Sequence, residues 1–106
     1  MHAAVSVKRD ILPELCRRFR IRRLEVFGSA ARGADFDARS SDVDFLVQFE
    51  PDVKPDISTF LDVQEALEQA LGRPVDLVDR QAVEQSGNYL RRRRILQEAQ
   101  PVYVAG

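Results

Sequence analysis

The run Asp42-Val43-Asp44-Phe45-Leu46-Val47-Gln48-Phe49 alternates apolar and polar side chains and constrains the fold more than any other stretch of the chain. In an extended chain successive side chains point to opposite faces, so Val43, Phe45, Val47 and Phe49 share one side and Asp42, Asp44, Leu46 and Gln48 the other. The pattern predicts a β-strand with one face in a core. It also sets two carboxylates on the same side, roughly 6.5–7 Å apart along the strand. Like charges held this close repel unless a cation or a proton lies between them. Magnesium, which prefers oxygen ligands, is the economical answer. A strand whose outer face is merely solvated carries the same short motif and remains the alternative.

Other elements follow from periodicity. Val7, Ile11, Leu12, Leu15 and Phe19 predict a helix over about 6–20, with Asp10 as a cap and Pro13 tolerated only in a first turn. Leu24, Val26 and Phe27 predict a short strand ending at Gly28-Ser29. Residues 29–33 read as one helical turn closed by Gly33, and 34–41 as a polar loop. Ile57, Phe60, Leu61, Leu67 and Leu71 mark an amphipathic helix stopped by Gly72, with Pro74 just beyond. Val75 to Val78 reads as a strand, 81–85 as a helical turn and 88–99 as a helix. Pro101 to Val104 is an edge strand or a tail. The order predicts an α/β (α+β) fold, a small mixed β-sheet flanked by helices.

With 106 residues the chain fits a single domain, 1–106. No apolar stretch reaches the roughly 18 residues of a membrane span, and the charged first segment is no signal peptide. One cysteine, Cys16, excludes an internal disulfide and reads as packing in the first helix. A cytoplasmic location is the simplest expectation. Charge is uneven: residues 1–23 hold seven basic and two acidic side chains, residues 35–68 ten acidic and two basic. A uniformly basic nucleic-acid binder would not look like this, so direct nucleic-acid binding is not expected. Four arginines at 91–94 cover about one helical turn. They read as a solvated surface or as a contact for an acidic partner or RNA. His2 carries no expected role, and Tyr89 and Tyr103 are expected to pack in the core or at an edge, with an anchor at an interface as the alternative.

Two further groups of residues can carry chemistry. Gly28 lets the backbone approach a phosphate, the N–H groups of the following turn can donate to anionic oxygen, and Ser29 adds a hydroxyl. Arg32 lies one turn on, on the same side as Ser29, and supplies positive charge. An ordinary strand-to-helix turn with a capping serine looks the same. Asp76 sits within the apolar run Val75-Asp76-Leu77-Val78, an expensive place to bury an unpaired carboxylate. If its strand lies beside that of Asp42 and Asp44, the three aspartates form a metal site; otherwise Asp76 is an edge residue facing water. A phosphate cradle with three carboxylates suits metal-assisted nucleotidyl transfer, in which two ions activate the attacking oxygen and stabilise the leaving one.

The runs Gly28-Ser29-Ala30-Ala31-Arg32-Gly33 and Ser41-Asp42-Val43-Asp44-Phe45-Leu46-Val47 resemble the signature of the polymerase-beta-like nucleotidyltransferases. The likeness extends through Gln48-Phe49-Glu50-Pro51, Gly72-Arg73-Pro74-Val75-Asp76-Leu77-Val78 and Pro101-Val102-Tyr103, and is narrower with the minimal nucleotidyltransferases, or MNT proteins. The resemblance implies that Asp42 and Asp44 bind two catalytic Mg2+ ions, that Asp76 completes the site and helps activate an acceptor hydroxyl, and that Gly28 and Ser29 hold the triphosphate. It further implies transfer of AMP from ATP to a tyrosine of a HEPN-type toxin, with this chain as antitoxin in a homo- or hetero-oligomer. A catalytically silent antitoxin that acts by binding alone is the alternative. The loop between Gly33 and Ser41, with Asp35 and Asp37, is longer than the family pattern.

Overall fold

The computed structural model describes Val5, residues 10–32 and residues 42–105, without the side chains of Ser29 and Arg32. The expected loop over 34–41, Gly33, Asp35 and Asp37 lie outside the described residues, as does much of the first helix's expected start. Helix α1 spans Leu12–Arg18 and carries Pro13 in its first turn, where a missing N–H leaves no helical bond unmade. Asp10 does not cap it: the N-cap is Ile11, with no side-chain cap bond. With the helix starting at Leu12, the Asp10 side chain lies one residue too early to reach the free N–H groups.

Strand β1 (Ile21–Phe27), helical turn α2 (Ser29–Arg32) and strand β2 (Val43–Phe49) follow. Then come helix α3 (Ile57–Leu71), strand β3 (Val75–Asp79), helix α4 (Arg80–Glu84), helix α5 (Tyr89–Glu98) and strand β4 (Gln100–Val104). Helix α3 has both of its ends defined. Asp56 accepts a 2.8 Å bond from the Thr59 N–H, which lowers the pKa of its carboxyl, and Gly72 stops the helix in the left-handed conformation.

The sheet order is β3-β2-β1-β4. Strand β1 runs antiparallel to β2 and β4, while β2 and β3 are parallel, so the sheet is mixed as expected. The last segment is an edge strand rather than a tail, and an edge is where Pro101 can be tolerated in a ladder.

Helices cover both faces. On one, Val43, Phe45 and Val47 pack with Leu24, Val26, Leu12 and Leu67 in the larger core. On the other, Leu46 is fully buried with Phe27, Val83 and Ile95 beneath α4 and α5. The expectation of a single buried strand face is therefore corrected: Ile95 and Val83 roof the outer face. Burying Leu46 there contributes about 1.5–3 kcal/mol. The α3 stripe is also shifted. Val63, Leu67 and Leu71 are buried, whereas Ile57 and Leu61 are 80% and 55% exposed because they lie rotated off that line. Among the described residues no helix is long and apolar enough to cross a membrane.

Candidate functional site

The parallel pairing of β2 with β3 sets Asp44 directly opposite Asp76. Neighbouring strands lie about 4.8 Å apart and directly paired residues share a face, so the two aspartates project from the same side of adjacent strands. Asp76 is thus in register with Asp44, on the same face of the sheet. Three polar contacts hold the register. The Val43 N–H donates to the Pro74 carbonyl at 3.1 Å, Gln64 Nε2 donates to the Val75 carbonyl at 2.9 Å, and the Val75 N–H donates to Glu68 Oε2 at 3.1 Å. Helix α3 thereby fixes the start of β3, one residue before Asp76.

On the other side of β2, Phe27 pairs with Asp44, so Asp76, Asp44 and Phe27 form one row across three strands. Gly28 follows immediately. Its φ is +71°, and a Cβ added there would lie 2.5 Å from Asp44 Oδ2. Glycine is required twice over, for the left-handed backbone and for the space that the Asp44 carboxylate occupies. The sequence alone links this glycine only to a phosphate. The turn behind it, α2, sits flush against the sheet because Ala30 and Ala31 are small and buried, and Gln100 Nε2 donates to the Ala31 carbonyl at 3.2 Å. The side chains of Ser29 and Arg32, both expected at the phosphates, lie outside the described residues.

Asp42 precedes β2 and is exposed, as is Asp76. Neither carboxylate has a hydrogen-bond or ion-pair partner among the described residues. Among those residues no group of three His, Cys, Asp or Glu side chains is gathered closely enough to hold a metal ion. The Asp44–Asp76 pair nonetheless fits a hard cation: both are oxygen donors, adjacent on one face, and Asp76 is open to solvent. Asp79, the other aspartate of β3, has a structural task, accepting a 3.0 Å bond from the Gln81 N–H at the start of α4.

Glu25 was not anticipated. It lies on the same sheet face, only 3% exposed, ion-paired to Arg80, with Arg23 Nε 3.2 Å away. An acid within the apolar run Leu24-Glu25-Val26-Phe27 was the available signal, of the same kind that drew notice to Asp76.

A cavity of about 340 Å³ opens beside this row, walled by Phe27, Gly28 and Asp44 on one side and by Arg91, Arg94 and Glu98 of α5 on the other. A cavity of about 360 Å³ lies at the opposite end of β2 and β3, lined by Gln48, Glu50, Asp79 and Gln81, and includes neither Asp44 nor Asp76. The chemistry-bearing residues therefore single out the first. Tyr89 is 57% exposed rather than packed inside; Arg92 lies over its ring at 5.3 Å. Cys16 is buried in the larger core, as expected, and burial pushes its thiol pKa up to about 12.

Known proteins with related sequences or folds point the same way. The family model described as a nucleotidyltransferase domain matches residues 8–102. The protein adenylyltransferase MntA of Thermococcus cleftensis is 46% identical over 65 residues, 61% of this chain and 62% of that protein. The chain thus spans less than two-thirds of that relative's length. A solved structure assigned as a minimal nucleotidyltransferase superposes with a TM-score of 0.72 at 33% identity, covering 95% of this chain and 96% of the other. A chain from the complex of tri-AMPylated Shewanella oneidensis HEPN toxin with MNT antitoxin gives a TM-score of 0.63 at 18% identity. It covers 94% of this chain and 72% of the other, a likeness of fold alone.

Proposed function

This chain belongs to the nucleotidyltransferase-domain family, and from that premise we propose that it is an antitoxin that moves AMP from ATP to a tyrosine hydroxyl of a HEPN-type toxin. The observation that carries the reading is the register of Asp44 with Asp76, abutting the Gly28 turn. The adenylyltransferase name of the Thermococcus relative and the AMPylated toxin of the Shewanella complex support the donor and the acceptor class. The domain acts as one unit in the cytoplasm.

In the proposed reaction the acceptor oxygen attacks the α-phosphorus of ATP. The new O–P bond forms as the bond from that phosphorus to the β-phosphate bridging oxygen breaks, and pyrophosphate leaves with the electron pair. The hydroxyl proton passes to a carboxylate oxygen of Asp76 and on to solvent. Asp42, Asp44 and Asp76 are the residues that would hold Mg2+, which when bound supplies charge neutralisation for the phosphates and the leaving group. Asp44 faces the Gly28 turn and so orients the donor; Asp76, one strand further out, faces the acceptor. The N–H groups at the start of α2, with Ser29 and Arg32, would steady the β- and γ-phosphates. Because such transfers need little covalent help from protein, positioning and charge carry the catalysis.

One observation favours a second reading, an antitoxin that neutralises its toxin by binding alone: no three-carboxylate cluster is assembled among the described residues. Incubation with α-labelled ATP, Mg2+ and a HEPN partner separates the two. Label on a toxin tyrosine supports transfer; a stable complex without label supports binding alone.

A further inference from the structure

The four arginines of α5 do not share one task. Arg92 donates to the Glu84 and Ser86 carbonyls at 3.3 and 3.4 Å and stacks on Tyr89, holding the turn between α4 and α5. Arg93 is exposed and lines none of the cavities described here. Arg91 and Arg94, three residues apart and hence on one helix face, both line the 340 Å³ cavity that Gly28 and Asp44 form from the other side. We infer that Arg91 and Arg94 grip the β- and γ-phosphates of the nucleoside triphosphate from the wall opposite the Gly28 turn. This inference rests on the nucleotidyltransferase reading and adds to it the residues that select a triphosphate.

Three features carry it. The cavity lies on the β1 side of Asp44, away from Asp76, which puts the arginines on the donor side of the reaction and not on the acceptor side. Guanidinium groups match phosphate oxygens with paired, planar donors, and two of them offset much of a triphosphate's charge where Asp44 alone would repel it. Arg94 is also kept ready at little cost. Its present partner is Glu98, 3.5 Å away with Arg94 73% exposed, an i,i+4 pair in the weaker order with the base N-terminal. A phosphate can take the place of Glu98 on the Arg94 guanidinium, which already lies open to solvent.

The test compares binding of ATP and AMP, each with Mg2+, to the wild-type protein and to R91Q, R94Q, R91Q/R94Q and R93Q variants by calorimetry, alongside the KM for ATP in AMP transfer. Each cavity-facing substitution is expected to weaken ATP binding roughly 10-fold, as loss of a charged hydrogen bond does, and to raise KM in step. AMP, which lacks the outer phosphates, is expected to lose little, and R93Q is expected to match wild type. ATP binding unchanged in the double variant, or an equal loss for ATP and AMP, overturns the inference while leaving the transferase reading in place. A loss of toxin or RNA binding with ATP binding intact assigns the arginines to that partner and overturns it too. A wild-type protein that neither binds ATP nor transfers AMP overturns both. Because both arginines are exposed, the single variants keep the result readable if the double variant folds poorly.

Discussion

Glu25 and Asp76 lie on the same face of the sheet, yet Glu25 is 3% exposed and ion-paired to Arg80, while Asp76 is exposed and has no partner among the described residues. Burying a carboxylate is costly unless a counter-charge is supplied, and the chain supplies one to Glu25 from α4. Arg80 is itself held by Glu84 at 2.9 Å, so the ion pair is part of a small network that ties β1 to α4. Among the described residues nothing comparable reaches Asp76, two strands away. The difference separates a carboxylate whose charge is satisfied by the fold from one that the proposed function assigns to a metal ion.

The sharpest way to break this contrast is to remove Glu25. Glu25→Ala takes the buried partner from Arg80, leaving it Glu84 alone, and is expected to cost about 2 kcal/mol, read by urea unfolding, with AMP transfer per folded molecule retained. A stable variant would mean the pair holds nothing together. Asp44→Asn should do the reverse. Transfer is expected to fall by 100-fold or more, beyond the roughly 10–100-fold typical of groups that only orient metal ligands. Its melting temperature should stay within about 4 °C of wild type, as expected for a change near ±0.5 kcal/mol. Full activity in purified Asp44→Asn would remove Asp44 from the mechanism.

Cys16 gives the smallest effect and a useful third case, a buried ionisable group whose burial outweighs the nearby Arg17 charge. Burial raises its thiol from 9.0 to about 12, so native protein is expected to resist a thiol reagent at pH 8 and to react once unfolded. The sign follows: the folded pKa lies above the unfolded one, so this stabilisation is complete below pH 9.0 and is lost as pH rises toward about 12. Prompt labelling of the native thiol would contradict the burial.

Much of this was legible in the chain. The alternation over 43–49, the Asp56 cap with the Gly72 stop, and the short strand around Asp76 are local patterns, and local patterns survive into the structure. What escaped is what depends on partners distant in sequence. Leu46 looked solvent-facing because its cover, Ile95, sits directly behind the arginine run that masks α5's apolar side. Ile57 and Leu61 fit a helical period but not the stripe that meets the sheet. Glu25 needed Arg80, 55 residues away, to be intelligible. The role of Gly28 in clearing space for Asp44 required the β1–β2 register, which no spacing rule supplies. The meeting of Asp44 with Asp76 was foreseeable only as a condition on strand order.

That meeting can be tested directly by a crystal structure of the protein with Mn2+ and a non-hydrolysable ATP analogue, read at the manganese absorption edge. The expected result is an anomalous peak bridging the Asp44 and Asp76 carboxylates at about 2.0–2.3 Å, with the triphosphate between Gly28 and α5. Manganese bound elsewhere, with Asp76 unengaged while the nucleotide is in place, would contradict it.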